Sequence, residues 1–159
     1  MAVVGARIDN RLLHGIVATQ WAPQSGASRV MVIDNDVAND SILKESMKLA
    51  RPSGMAISII TEETALTNFK AGKYNNQKVF IISKKPDIFL ALLANLVEIK
   101  ELVVGGTVVS ENEDSVKVSK RAYVEADQIE TYKKIMNEGT SVVVKFVPSD
   151  KNIKMETLI

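Results

Sequence analysis

The sequence predicts an α/β fold: a doubly wound domain with a mostly parallel central sheet and helices on both faces. Six short apolar runs rich in β-branched residues recur along the chain, and helix-length segments with recognisable starts lie between most of them. The runs are continuously apolar instead of alternating, which is typical of strands buried on both faces of a sheet. A chain of 159 residues, 46% hydrophobic and 25% charged, has the size of one domain, residues 1–159.

The predicted strands are, in chain order, residues 2–8 (AVVGARI), 29–34 (RVMVID), 56–61 (AISIIT), 78–83 (KVFIIS), 101–106 (ELVVGG) and 141–147 (SVVVKFV). Five helices are predicted from caps and breakers: one from about Gly15, one capped by Asn35 or Asp36 and running to about Ala50, one after Thr61, one with Pro86 in its first turn, and one over 126–139. Residues 107–124 place two β-prone pieces around the polar SENEDS, which favours a hairpin or an excursion at the edge of the sheet over a helix there.

Composition excludes several classes of function. The net charge is +1 and neither sign forms a long run, which argues against nucleic acid as a partner. The absence of cysteine excludes a disulfide framework and a thiolate nucleophile, and with one histidine only a carboxylate cluster could hold a metal. Asp34 and Asp36 are better explained as turn and cap residues, so we expect no metal and no cofactor. The apolar segment 88–94 is too short to span a bilayer, and we expect a soluble, cytoplasmic chain.

The only histidine, His14, follows the first predicted strand in the segment RIDNRLLHGIVATQW. Ligand sites of open α/β sheets lie at the carboxyl ends of the strands, and this loop is the one that combines a titratable nucleophile with arginines. A helix beginning near Gly15 would place His14 at its N-terminus, where the dipole favours a neutral imidazole and an added anion. A neutral imidazole can attack a phosphoryl group, and Arg7 and Arg11 could supply the positive charge that such a transfer needs.

Each of these residues also has a structural explanation. The histidine could be a satisfied structural group, and the two arginines could be surface ion-pair partners. Asp9 is explained either as a cap that starts the loop or as the residue that orients it. Trp21 is expected in the core.

The same residues resemble the signature around the phosphorylated histidine of the IIB components of the bacterial phosphotransferase system, in the mannose/fructose/sorbose/N-acetylgalactosamine branch. The segments SRVMVIDNDVANDSILKESMKLARPSGM, VVGGTV and KMETLI resemble the family in the same order, so the likeness covers essentially the whole chain. One departure is visible, because Ile16 stands where the family usually has glutamine.

The resemblance implies a protein-histidine phosphotransferase in which His14 is the phosphoacceptor, and it places Arg7, Asp9 and Arg11 in the loop that receives the phosphoryl group. Its implied partners are a phosphorylated IIA component, the membrane components IIC and IID, and the sugar that these membrane components hold. The chain would then associate with the inner face of the membrane through IIC and IID, and a homo-oligomer is compatible with the family.

Other classes fit the sequence less well. A receiver domain would need acidic residues after the first strand, an aspartate after the third and a lysine after the fifth, whereas the third strand here ends in Thr61-Glu62-Glu63 and the fifth in Gly105-Gly106. A dinucleotide-binding domain would need a glycine fingerprint after the first strand, and DNRLLHG is not one. The alternative that stays open from the residues alone is an enzyme that uses His14 as general acid or base on a phosphorylated small molecule.

Overall fold

A computed structural model describes residues 2–159, and over these residues a seven-stranded sheet has helices on both faces, as predicted. The strands are β1 Val3–Asp9, β2 Arg29–Ile33, β3 Ala56–Ile60, β4 Val79–Ser83, β5 Glu101–Gly106, β6 Val116–Lys117, β7 Tyr123–Val124, β8 Ser141–Val144 and β9 Ile153–Lys154. The sheet order is β3-β2-β4-β1-β5-β8-β9. All neighbouring strands in this sheet pair in parallel except β8 and β9, which are antiparallel. All six predicted strands form, and β9 is an additional strand at the edge.

The helices are α1 over 15–24, α2 Asn35–Ala38, α3 Ser41–Lys48, α4 Glu62–Lys70, α5 Asp87–Ala94 and α6 Ala126–Asn137. Inside α1 the stretch Val17–Trp21 is π-helical, and a 3₁₀ turn, Met155–Thr157, follows β9. Residues of α1, α2 and α3 pack in one hydrophobic cluster, and residues of α4, α5 and α6 pack in another. Alternate residues of β2 enter the two clusters, which explains why a buried strand reads as a continuous apolar run.

The prediction of one helix from about residue 35 to Ala50 is wrong, because the chain forms α2 and α3 there. The cap of α2 is Asp34, whose side chain accepts a hydrogen bond from the Val37 amide. The carboxylate of Asp40 then accepts hydrogen bonds from the amides of Ile42 and Leu43, at 3.0 and 3.1 Å. A second N-cap so close to the first ends one helix and begins another.

The predicted hairpin exists, but it is not built around SENEDS. Its strands are β6 and β7, which pair Val116 with Val124, and residues 118–122 form the turn. The polar residues that precede it form other hydrogen bonds: the Asn112 amide donates to the Ser110 hydroxyl, and the Asn112 side chain donates to Glu125 at the start of α6. Hydrogen bonds of polar side chains thus take the place of strand pairing in SENEDS.

The last predicted strand, 141–147, ends at Val144. Beyond it the amides of Phe146 and Val147 donate to the carboxylate of Asp150 and not to a neighbouring strand. The chain then turns at Pro148 and returns as β9. Arg7 of β1 donates to the carbonyls of Lys145 and Phe146 at the start of this turn, so the turn lies close to the carboxyl end of β1.

Candidate active site

The four predicted site residues gather at the carboxyl end of β1, in the middle of the sheet. Arg7 and Asp9 belong to the strand itself, and Arg11 and His14 lie in the loop that leads into α1. Asp9 is paired with Gly106 of β5, and the Asn10 amide donates to the Gly106 carbonyl at 3.0 Å. The chain leaves β1 toward α1 on one face of the sheet and leaves β5 toward α6 on the other, so the loop sits where the connections diverge.

The loop is a tight turn closed by the backbone and the side chain of Asp9. The Leu12 amide donates to the Asp9 carbonyl at 3.1 Å, and the Arg11 amide donates to Asp9 Oδ1 at 3.0 Å. Leu12 has φ of 59°, a left-handed conformation that costs a non-glycine residue about 1–2 kcal/mol. Its side chain is 1% exposed, so burial compensates for the strain and fixes the turn.

The imidazole of His14 is held by the carboxylate of Asp9. The distance from His14 Nε2 to Asp9 Oδ2 is 2.9 Å, with Asp9 1% and the His14 side chain 16% exposed. An ionised carboxylate only accepts hydrogen bonds, so Nε2 carries the proton and the lone pair of the neutral ring is on Nδ1. Among residues 2–159 Nδ1 has no hydrogen-bond partner, and no buried polar side-chain atom there lacks one, so Nδ1 reaches solvent. Asp9 therefore both closes the loop and orients the histidine.

Arg7 does not lie where it was expected. It is neither in the loop nor a surface ion-pair partner: it belongs to β1 and is fully buried. Its Nε and Nη2 both lie 3.2 Å from Asp9 Oδ2, and it donates to the carbonyls of Lys145 and Phe146 at 3.2 and 3.1 Å. Burial lowers the pKa of the Arg7 guanidinium, and the charge of Asp9 opposes that effect. A buried guanidinium with these partners acts on Asp9, not on a ligand at the surface.

Glycine and tryptophan form the space that Arg7 occupies. A Cβ on Gly105 of β5 would overlap the guanidinium, so no larger residue fits opposite Arg7. On its other side the Arg7 guanidinium carbon lies 4.9 Å from the centre of the Trp21 ring, within cation–π distance. Trp21, expected in the core, is partly buried, and its Nε1 donates to the Phe146 carbonyl at 2.9 Å.

Arg11 is the site arginine that faces solvent. Within residues 2–159 its guanidinium makes no hydrogen bond or ion pair, so it is free to contact an anion. Exposed Lys84 and Lys85 follow β4, the strand next to β1, and exposed Arg121 has its carbonyl bonded to the Thr107 amide just after β5. Arg11, Lys85 and Arg121 thus bring exposed positive charge to this end of the sheet, whereas Lys84 lies 3.9 Å from the carboxylate of Asp34.

Sequence reasoning missed the contact of Phe146 with the site and the depth at which Arg7 is buried. The contact between Arg7 and Asp9 was predictable, because residues two apart in a strand share a face and both residues belong to β1. Nothing in the sequence near residue 146 indicated a contact with β1.

Comparison with known proteins now decides the family. The family model "PTS system sorbose subfamily IIB component" matches residues 3–159. The chain belongs to this family. It is 29% identical over 150 residues to the sorbose-specific EIIB component of Lacticaseibacillus casei, covering 94% of this chain and 90% of that one. It is 32% identical over 146 residues to the N-acetylgalactosamine-specific IIB component 1 of Escherichia coli K12, covering 91% and 90%.

A longer relative and two solved structures of IIB components are also similar to this chain. The mannose-specific EIIAB component of Escherichia coli K12 is 30% identical over 158 residues, which are 99% of this chain and 48% of that longer protein. The IIB domain of the sorbose permease of Klebsiella pneumoniae superimposes with a TM-score of 0.87 at 26% identity, covering 98% and 94% of the two chains. The Escherichia coli N-acetylgalactosamine-specific IIB component 1 gives a TM-score of 0.86 at 30% identity, covering 96% and 99%.

Family membership makes the chain a IIB component of a sugar phosphotransferase system, a transferase and phosphocarrier in sugar uptake. Within residues 2–159, none of the helices has both the length and the apolar character that crossing a bilayer requires.

Proposed function

We propose that His14 is the residue that carries the phosphoryl group and that Nδ1 is the nitrogen that accepts it. The observation that carries this proposal is the hydrogen bond of 2.9 Å between His14 Nε2 and the buried Asp9 carboxylate. That bond leaves the lone pair on Nδ1, which reaches solvent. A phosphocarrier needs this combination of a fixed ring and an accessible nitrogen, because its partners must approach the ring from outside.

The chemistry needs little more than positioning and charge. In the first transfer the Nδ1–phosphorus bond forms while the bond from phosphorus to the donor breaks, and the electron pair of that bond stays with the donor. The imidazole gains positive charge as this happens, and the Asp9 carboxylate stabilises it. In the second transfer a sugar hydroxyl attacks phosphorus, the Nδ1–phosphorus bond breaks, and the hydroxyl proton leaves to a base or to water.

Arg11 and Arg7 have different parts in this proposal. Arg11 is exposed and unpaired in the described chain, so its planar guanidinium can pair with two oxygens of the transferred phosphoryl group. Arg7 is buried and keeps the Asp9 carboxylate in place. Asp9 orients the ring, and the side chain of Ile16, half-buried in the first turn of α1, offers the phosphate no hydrogen bond.

The proposed donor is a phosphorylated IIA component, and the proposed acceptor is a sugar held by the membrane components IIC and IID. The exposed Arg11, Lys85 and Arg121 at this end of the sheet support a phosphorylated or acidic donor surface. The chain would act on the cytoplasmic side of the membrane. The sugar is proposed only as a class that includes mannose, fructose, sorbose and N-acetylgalactosamine, and growth of a deletion strain on each sugar identifies it.

The direct test is phosphorylation of the protein by its cognate phospho-IIA. The wild-type protein should acquire an acid-labile label, and His14→Ala should acquire none while it keeps its thermal unfolding midpoint within a few degrees, because a partly exposed loop residue contributes little to the core. Phosphorus–nitrogen coupling in NMR spectra of the labelled protein should place the phosphoryl group on Nδ1.

Two results would contradict the proposal. A label retained by His14→Ala would exclude His14 as the acceptor, and a label on Nε2 would exclude the proposed tautomer. A protein that is never labelled but turns over a phosphorylated small molecule would instead support the acid–base enzyme. As a matched control, Thr19→Ala removes an exposed side chain of α1 and should be labelled like the wild type.

A further inference from the structure

The carbonyl groups that hold Arg7 come from a segment far along the chain. Arg7 Nη1 donates to the Lys145 carbonyl at 3.2 Å, and Nη2 donates to the Phe146 carbonyl at 3.1 Å. Trp21 Nε1 donates to the same Phe146 carbonyl at 2.9 Å. The position of the Arg7 guanidinium therefore depends on how the main chain of residues 145–150, the 145–150 turn, is oriented.

Asp150 closes this turn with its side chain and its backbone. Asp150 Oδ2 accepts hydrogen bonds from the amides of Phe146 and Val147, both at 3.0 Å, and the Asp150 amide donates to the Val147 carbonyl at 3.0 Å. Pro148 occupies the second position of the resulting β-turn, where its fixed φ is favourable. The hydrogen bond from Val147 holds the pKa of the Asp150 carboxyl below its usual value, and Phe146 and the charges of Arg121 and Lys145 add to this effect.

The two peptide groups that accept from Arg7 are the same two that donate to Asp150. The Lys145 carbonyl and the Phe146 amide belong to one peptide group, and the Phe146 carbonyl and the Val147 amide belong to the next. A peptide group is planar, so fixing the direction of its N–H fixes the direction of its C=O. Hydrogen bonds at both ends of a peptide group also polarise one another. Two planar peptide groups thus connect the Asp150 carboxylate to the Arg7 guanidinium.

We propose that Asp150 is a positioning residue for His14. Its carboxylate orients the two peptide groups that hold Arg7, Arg7 holds the Asp9 carboxylate, and Asp9 keeps the proton of His14 on Nε2 and the lone pair on Nδ1. Asp150 touches neither the phosphoryl group nor the imidazole, and its effect passes through Arg7. This role rests on the proposed function only where it concerns the transfer rate, since the tautomer of His14 is defined without any phosphoryl group.

The experiment compares Asp150→Ala with Asp40→Ala, a control of the same kind. Asp40 is also an exposed aspartate whose carboxylate accepts two backbone amides, at 3.0 and 3.1 Å, but it caps α3 and has no connection to Arg7. The first readout is nitrogen NMR of the imidazole. His14 is the only histidine, so its ring signals need no assignment. The wild type and Asp40→Ala should show the Nε2–H tautomer, and Asp150→Ala should show a mixture with the Nδ1–H tautomer.

The second readout is single-turnover phosphoryl transfer from cognate phospho-IIA. Loss of the positioning should lower the rate at saturating phospho-IIA by about 5- to 20-fold and leave the half-saturating concentration within about twofold, because the exposed cations proposed to meet the donor are all kept. Asp40→Ala should transfer at the wild-type rate. Asp150→Asn keeps a carbonyl oxygen that can accept both amides, so it should recover the tautomer and a rate within about threefold of the wild type.

The proposal is overturned if Asp150→Ala and Asp40→Ala give the same tautomer and the same rate, or if Asp150→Asn loses as much as Asp150→Ala. These outcomes are distinct from a failure of the proposed function. A shifted tautomer in a protein that phospho-IIA never labels would support the role of Asp150 and refute His14 as phosphoacceptor. Labelling of His14 with an unshifted tautomer would do the reverse.

Discussion

Replacing Gly105 with alanine tests whether the guanidinium of Arg7 is what requires glycine in β5. The new methyl group would overlap the guanidinium, which is fully buried between Gly105 and Trp21. Displacing Arg7 breaks its contacts with Asp9, and breaking a buried ion pair costs about 3–5 kcal/mol. Alanine in a strand recovers about 0.5–1 kcal/mol relative to glycine, so the net loss of unfolding free energy should be about 3 kcal/mol.

For a domain of this size a loss of that magnitude lowers the melting temperature by roughly 6 to 12 °C. Urea unfolding followed by far-ultraviolet circular dichroism measures it as a lower midpoint with an unchanged slope. Gly15→Ala is the control, because a Cβ there meets nothing within 4 Å and the residue begins α1. It should be neutral or stabilising by up to about 1 kcal/mol.

A double-mutant cycle decides whether the cost passes through Arg7. In an Arg7→Ala background the overlap is gone, so Gly105→Ala should then cost less than about 1 kcal/mol, which gives a coupling energy of at least about 2 kcal/mol. Additive effects would refute the explanation. So would a Gly105→Ala protein as stable as the wild type, since the guanidinium could then be accommodated elsewhere at no cost.

Three further results are expected. Arg11→Lys keeps the charge but loses the planar guanidinium, so single-turnover transfer from phospho-IIA should slow by about 10- to 100-fold, equivalent to about 1.4–2.7 kcal/mol, and an unchanged rate would make Arg11 a mere surface charge. Leu12→Gly should be more stable to urea than Leu12→Ala by about 1 kcal/mol, because both lose the buried side chain but glycine adopts the left-handed backbone freely; the opposite order would mean that the backbone there is unstrained. The lowered pKa of Asp150 means that its ionised form stabilises the fold above the ordinary value of 3.8 and that this contribution is lost as the pH falls through the lowered value. Thermal unfolding at a series of pH values should therefore show Asp150→Ala less stable than the wild type at neutral pH, by a difference that narrows as the pH falls below 3.8, whereas a constant difference would show that the charge of Asp150 plays no part.

The sheet was predictable because its signal is local and redundant. A strand buried on both faces needs an apolar residue at nearly every position, and β2 and β4 have one at almost all of theirs. The helix over 35–50 was mispredicted because two cap signals competed with helix propensity. Asp34 and Asp40 each form side-chain bonds to amides two or three residues ahead, and such bonds outweigh the propensity of the residues between them.

Half of the site was predictable for a similar reason. His14 and Asp9 are five residues apart in one loop, so their contact is a matter of local geometry. The other half depends on pairs that are distant in sequence: Arg7 meets carbonyls 138 and 139 residues away, and Trp21 meets one 125 residues away. No residue pattern near position 146 reports a contact with β1, and only the three-dimensional fold brings these groups together.

The burial of Arg7 has a consequence for the charge of the phosphorylated protein. A phosphoryl group on Nδ1 would carry nearly two negative charges, and an unpaired carboxylate about 6 Å away would oppose it by roughly 5 kcal/mol at an effective dielectric constant of about 20. Arg7, with two nitrogens 3.2 Å from Asp9 Oδ2, neutralises that carboxylate before any phosphoryl group arrives. Asp9 can then orient the imidazole without repelling the group that the imidazole receives. Arg7 is fully buried and donates to Asp9 and to two main-chain carbonyls, so in the proposed mechanism the phosphoryl group would be held by exposed contacts such as Arg11, from which it can be given away again. In the proposed mechanism the buried ion pair would orient the nucleophile and the exposed arginine would bind the phosphoryl group temporarily, two tasks that one arginine at the surface would have to combine.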